Sequence, residues 1–239
     1  MEKNTAGKSD LPDTEPVCVV ALDAADYRLA REWDCQNILQ TTYKEIETFC
    51  YSKPWPLTTE VWTSVATGLH PSEHGISNID EARDWDSTAL AVASKATQYL
   101  PIGLRKALGR IVRQGGAEQT LDQTDADHVF EAVNGWPGIS PASRLNHAWS
   151  LMDDVVDGRI SDEEFQEQLK IQTAEAIGWL VAKSDCEYRS VGVHLHILDV
   201  AGHVYAERPE KLRTVYEWVD NQLGWVRDQC PWLLILSDH

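Results

Sequence analysis

The chain has 239 residues, 43% hydrophobic and 25% charged, enough apolar material for a sizeable core and too much for a disordered chain. Lys and Arg total 21 against 38 Asp and Glu, a net charge of −17. That excludes a nucleic-acid coat protein, because a phosphate backbone demands a basic face. A small phosphorylated substrate stays compatible, since a bound metal reverses the field locally. Five scattered cysteines (Cys18, Cys35, Cys50, Cys186, Cys230) read as reduced thiols, not as a disulfide framework or a zinc knuckle. Met1 to Pro16 has no apolar stretch behind a basic start, so no secretory signal is read. No apolar run approaches the roughly 20 residues of a membrane span. A soluble cytoplasmic protein is the expectation. The acid excess, spread along the chain with few lysines, is the surface expected in a salty cytoplasm.

Residues 1–15 are expected to form a disordered leader to a domain over 16–239. Val17 to Leu22 is an unbroken apolar run ending at Asp23, the pattern of a buried parallel strand. Thr58 precedes a predicted helix that stops at Gly68. Its hydroxyl then sits at a helix N-terminus, where free amides and the dipole favour a phosphate or an ionised threonine. An ordinary N-cap threonine has the same pattern. Trp62, one turn later, is expected in the core. Residues 80–125 carry little pattern, although Lys95, Arg105, Lys106, Arg110 and Arg113 group basic charge in an acidic chain, as on a solvated surface helix. Ser161-Asp162-Glu163-Glu164 has capping-box spacing, with Phe165, Leu169, Ile177, Leu180 and Val181 as an apolar stripe behind it. Val191 to Leu198 is a second strand-like run, ending at Asp199. His194 and His196 share one face of it and read as satisfied core or interface histidines. Pro209 suits a first helical turn, and Leu212, Val215, Val219, Leu223 and Val226 follow at helical spacing. Trp232 to Leu236 is the third run, ending at Ser237-Asp238-His239. Strands alternating with helices predict an α/β fold, a mainly parallel sheet with helices on both faces.

Each of the three runs delivers an aspartate at its carboxyl end, where open α/β sheets place their ligand crevice. Asp199 and His203 can reach one metal if the loop between them turns sharply, and Gly202 permits such a turn. Asp238 and His239 are adjacent, so both meet one ion only if the chain curls there. Nitrogen and carboxylate donors together favour zinc, with manganese as the alternative.

The order Asp23, Thr58, Asp199, His203, Asp238, His239, with the spacing Thr58-x8-Thr67-Gly68-x2-Pro71-x2-His74-Gly75, resembles the alkaline phosphatase superfamily. Within it, the chain resembles the type I phosphodiesterase/nucleotide pyrophosphatase branch. Asn134-Gly135-Trp136-Pro137-Gly138 resembles a loop that follows a central strand in those proteins. The resemblance implies a three-layer α/β/α fold and metal-dependent hydrolysis of phosphate esters, diesters or pyrophosphates before monoesters. It implies Thr58 as nucleophile, through a phosphothreonine, and two divalent metals, zinc or else manganese. One metal would lie among Asp23, Thr58, Asp238 and His239, the other on Asp199, His203 and a later histidine. No residue can be assigned to that later histidine, so the domain is expected to be incomplete at its C-terminus and its metal sites impaired. Asn78 stands one place early for the family's phosphate-binding asparagine and is the candidate for that role. His74 is expected to be structural. The surroundings of Thr58 depart from the Cys-x-Pro-x-Arg context of sulfatases. A phosphomutase of the same superfamily, and a protein that keeps the fold without catalysis, stay open. The expected partner is a small phosphorylated substrate, with no nucleic-acid coat and no membrane.

Overall fold

A computed structural model describes residues 15–44, 58–76, 123–141, 143–186 and 188–238. Their strands are β1 (Val17–Leu22), β2 (Ala132–Asn134), β3 (Ser190–Leu195) and β4 (Trp232–Leu236). They form one all-parallel sheet in the order β2-β3-β1-β4. Val17 stands opposite both Ser190 and Trp232, so β1, β3 and β4 run in step and their carboxyl ends lie together. The helices are α1 (Tyr27–Glu32), α2 (Gln36–Leu39), α3 (Thr58–Thr67), α4 (Pro71–His74), α5 (Ser143–Val156), α6 (Asp162–Ser184), α7 (Ile197–Tyr205) and α8 (Pro209–Gln229). No helix among the described residues is long and apolar enough to cross a membrane.

Strand residues alternate between two faces, and each face has its own core. Cys18, Val20 and Leu22 of β1, with Val191, Val193 and Leu195 of β3, pack under α6, α7 and α8. The predicted stripes do this packing: Phe165, Leu169, Ile177 and Leu180 of α6 are fully buried, as are Val215, Val219, Leu223 and Val226 of α8. On the other face Val19 and Ala21 meet Trp62 and Ala66 of α3, together with Phe130 and Trp136. Phe130 lies flat against Gly192, where a Cβ would come within 2.7 Å of its ring.

Local signals set the helix ends. Ser161 Oγ accepts from the Glu164 amide at 3.1 Å and starts α6. Pro209 opens α8. Gly68, with φ +68°, stops α3, in a conformation open to glycine at little cost.

One expectation needs correction. The run Val191–Leu198 is not one strand. β3 ends at Leu195, His196 caps a helix, and Ile197 and Leu198 are buried in the first turn of α7. A short apolar run cannot distinguish a buried strand from a buried helical turn. The Asn134–Gly138 loop follows β2, which lies at the edge of the sheet formed by the described residues. Residues 1–14 and 77–122 lie outside the described residues, and with them all of the leader but Glu15 and the five basic groups named above.

Candidate functional site

The turn after β1 is built by the end of β4. The Ala24 amide donates to Asp238 Oδ1 at 3.3 Å and the Ala25 amide to Ser237 Oγ at 2.9 Å. Tyr216 of α8 closes the turn, its hydroxyl accepting from the Asp26 amide at 3.0 Å. Ala24 has φ +56°, a left-handed conformation that a non-glycine residue holds only where its surroundings impose it. This turn brings the carboxylates of Asp23 and Asp238 to neighbouring strand ends, each only 1% exposed. His239, the partner that sequence gave Asp238, lies outside the described residues.

His194 shares the face of β3 that looks onto Ala21 and Asp23. Its Nε2 stands 3.4 Å from Asp23 Oδ2, and its side chain is wholly buried. Neither ring nitrogen has a hydrogen-bond partner among the described residues. Trp62 presents its ring edge-on to the imidazole at 5.5 Å, and the His196 ring lies 6.3 Å away. Burial pushes the His194 pKa down to about 4, with Asp238 and Asp199 opposing and Arg144 reinforcing. Burial, then His194 and Arg144, takes His196 to about 3. Both imidazoles are neutral at physiological pH, so the contact with Asp23 is not an ion pair. The sequence reading of His194 as a satisfied core histidine holds for its burial and fails for its hydrogen bonding.

α3 carries Thr58 as its first residue. Trp62 and Ala66 press the helix onto the sheet, and the Trp136 indole donates to the Trp62 carbonyl at 2.7 Å. Trp62 is a core residue, as expected. His74 holds the other end of α3. Its Nδ1 accepts from the Ile76 amide at 3.1 Å, which leaves Nε2 to donate to Ser64 Oγ at 3.0 Å. The structural role expected of His74 follows from those bonds. Asn78 lies outside the described residues.

Asp199 and His203 meet, but not through a sharp loop. They sit four apart on α7, and His203 Nε2 stands 3.3 Å from Asp199 Oδ1. One helical turn brings residues i and i+4 to one face. Gly202 is an ordinary helical residue there, with no positive φ. Asp199 in the first turn also suits the helix dipole. The Asp199 side chain is 14% exposed and that of His203 56%, so this pair opens to solvent while Asp23 and His194 do not.

Arg144 was invisible to sequence. It lies in the first turn of α5, and its guanidinium rests on Gly135, where a Cβ would stand 2.5 Å from Nη2. Nη2 is buried without a hydrogen-bond partner among the described residues. Burial lowers the pKa of this group, which remains a cation beside the strand ends. An open groove elsewhere, between α6 and α8 and lined by Gln166, Lys170 and Trp218, touches none of these residues.

The donors fit a divalent metal in kind. Carboxylate oxygens and neutral imidazoles are the ligands of zinc and, less selectively, manganese. Carboxylates as buried as Asp23 and Asp238 are anions only where something positive or hydrogen-bonding meets them. Among the described residues, no group of three His, Cys, Asp or Glu side chains could hold an ion by itself. The described donors come in pairs, Asp23 with His194 and Asp199 with His203.

The family model described as type I phosphodiesterase / nucleotide pyrophosphatase matches residues 46–239. No curated protein and no solved structure gives a significant match.

Proposed function

The chain belongs to the type I phosphodiesterase / nucleotide pyrophosphatase family of the alkaline phosphatase superfamily, and on that premise we propose that it hydrolyses small phosphate esters, diesters or pyrophosphates before monoesters, through a phosphothreonine on Thr58. One observation carries the reading. Two buried carboxylates, Asp23 and Asp238, lie at the ends of adjacent parallel strands, on the face that α3 covers.

In this reading Asp23, Thr58, Asp238 and His239 surround one divalent ion, and Asp199 and His203 hold a second. Zinc suits these donors best and manganese second. Such ions, when bound, lower the pKa of the threonine hydroxyl and neutralise phosphoryl oxygens. The chain supplies the rest. The first-turn amides of α3 and its dipole hold phosphoryl oxygens beside Thr58, with Asn78 as a further donor. Thr58 Oγ attacks phosphorus, the bond to the leaving oxygen breaks, and water then cleaves the phosphothreonine. Trp62 and the Trp136 hydrogen bond keep α3 seated during both steps.

The test is turnover of bis(p-nitrophenyl) phosphate and p-nitrophenyl phosphate with zinc or manganese added. The diester is expected to react faster. Thr58→Ala is expected to abolish turnover and the acid-stable phosphoenzyme while the chain stays folded, since Thr58 is a half-buried first-turn residue whose replacement by alanine costs little. A Thr58→Ala variant that turns over at the parental rate would refute the nucleophile. A faster monoester would refute the diester preference.

A further inference from the structure

We propose that Arg144 binds a second anionic group of the substrate, a phosphate or carboxylate carried on a substituent of the reacting phosphoester; this rests on the reading of the strand ends as a phosphoester-hydrolysing site.

Three observations carry it. The first is an unsatisfied cation. Arg144 Nη2 is buried and has no hydrogen-bond partner among the described residues. Burial outweighs the attraction of Glu175, which acts on the guanidinium only electrostatically. The chain carries 38 Asp and Glu against 21 Lys and Arg, so carboxylates are abundant, yet this buried nitrogen meets none of those described. A buried charge without a partner is unfavourable, and each such group in a folded protein calls for an explanation. The second is a built floor. Gly135 has φ +67°, and a Cβ there would stand 2.5 Å from Nη2 and 3.4 Å from Cζ. The glycine thus clears the space that the guanidinium occupies. Its loop is fixed in turn: the Trp136 amide donates to Ser140 Oγ at 2.8 Å and the Trp136 indole to the Trp62 carbonyl of α3 at 2.7 Å. A guanidinium seated on such a floor presents a planar fork that matches phosphate and carboxylate oxygens. The third is position. β2 lies across β3 from β1, so Gly135, the first residue past β2, stands two strand spacings, about 9–10 Å, from the line of β1. The Arg144 charge acts on His194 and His196, at the carboxyl end of β3.

The crevice at the strand ends is therefore electrically polar. Asp23 and Asp238 stand at the ends of β1 and β4, and the guanidinium stands on the β2 side. A phosphoryl group seated beside Asp23 occupies one end of this span. A substituent with its own negative charge reaches the other end and pairs with Arg144. An ester whose substituents are all neutral leaves that nitrogen unsatisfied.

Three p-nitrophenyl phosphodiesters that differ only in their second substituent (phenyl, carboxyphenyl or phosphophenyl) test this with zinc added. Wild type is expected to show a lower KM for the two charged diesters than for the phenyl diester. Arg144→Gln is expected to erase that advantage, a loss of roughly 10–100-fold, the worth of a hydrogen bond to a charged group. Arg144→Lys keeps the charge without the fork and recovers part of it. Millimolar guanidinium is expected to restore the advantage to Arg144→Ala, a rescue that a merely structural arginine would not show. Calorimetric titration of the same diesters into Thr58→Ala, with and without Arg144→Gln, reads binding apart from turnover. The charged diester that loses more identifies the group as phosphate or carboxylate. Thermal melts check folding, and if Arg144→Gln does not fold, Arg144→Lys and the wild-type preference decide. No advantage for the charged diesters in wild type, or the same advantage in a folded Arg144→Gln, overturns the assignment and leaves phosphoester hydrolysis standing. A chain that binds the charged diesters through Arg144 and hydrolyses none of the three refutes the hydrolase reading and leaves the anion site. A chain that binds none of them overturns both.

Discussion

The indole nitrogen of Trp136 donates to the carbonyl of Trp62 at 2.7 Å, tying the loop after β2 to the helix that begins with Thr58. The two rings meet edge-to-face at 5.4 Å, a favoured aromatic arrangement. The loop approaches α3 so closely that only glycine fits at its last position. Gly138 has φ +74°, and a Cβ there would stand 1.9 Å from Thr63 Oγ1. That hydroxyl is itself fixed by the Thr59 carbonyl at 2.7 Å.

Gly138→Ala therefore combines a left-handed backbone penalty with a collision against a side chain that cannot swing away. Overpacking alone costs about 1–3 kcal/mol, and the backbone adds about 1 kcal/mol. A loss of about 2–4 kcal/mol in urea unfolding is expected, with a parallel loss of any activity that depends on the seat of α3. A change below about 0.5 kcal/mol would show that the contact is not fixed in solution.

His74 gives a pH dependence in a defined window. Burial holds its pKa below the ordinary histidine value, with Glu60 and Glu73 opposing more weakly. The unfolded chain therefore takes up the proton first. Stability supplied by neutral His74 is complete above about pH 6.5 and declines as pH falls below it, at no more than about 1.4 kcal/mol per pH unit for one proton. His74→Gln is expected to be less stable at pH 8 and to lose less on acidification to pH 5. Parallel stability curves for the two proteins would remove His74 from the account.

The sequence made the strands readable because β1, the first part of β3 and β4 are apolar on both faces. It also made the ends of α6 and α8 readable, because Ser161 and Pro209 signal them chemically. It misplaced Asp199 because Ile197 and Leu198 extend the apolar run while already lying in a helix. The Asp199–His203 spacing was informative for another reason than the one inferred: a helix, not a loop, brings the pair together. β2 has three residues, too few for any periodicity. The approach of His194 to Asp23 follows only from register, since it depends on which strand pairs with β1. The Arg144–Gly135 contact joins a helix to a loop nine residues back, and no local pattern encodes it.

The net charge of −17 makes a prediction about the whole molecule. Like charges repel most in the compact state, and salt shortens the screening length from about 30 Å at 0.01 M to about 3 Å at 1 M. The melting temperature is expected to be higher in molar KCl than in dilute buffer. A flat or inverted dependence would discard a surface adapted to salt.

One ion-pair cluster should respond to salt in the opposite sense. Asp162, in the first turn of α6, accepts on Oδ2 from Arg208 Nη1 at 2.6 Å and from Lys211 Nζ at 2.5 Å. It thereby joins the start of α6 to the start of α8. The Lys211 hydrogen bond holds the Asp162 carboxyl below the usual carboxylate range; burial opposes it next, and the Arg208 hydrogen bond and the two cationic charges reinforce it. A depressed folded pKa means that the unfolded chain binds the proton first. The stabilisation is thus complete above about pH 4–5 and is lost as pH falls through the folded pKa. Asp162→Asn keeps the shape and removes the charge. At pH 7 and low salt it is expected to cost about 1 kcal/mol, the upper range for a pair in contact with solvent. The gap between wild type and variant should narrow toward pH 3, and narrow again at pH 7 in molar KCl, even as both proteins gain stability from the relief of global repulsion. Urea unfolding of both proteins at pH 7 and pH 3, with and without KCl, separates the two effects. A gap that is the same at pH 7 and pH 3 would show that Asp162 acts through packing or helix capping and not through its charge.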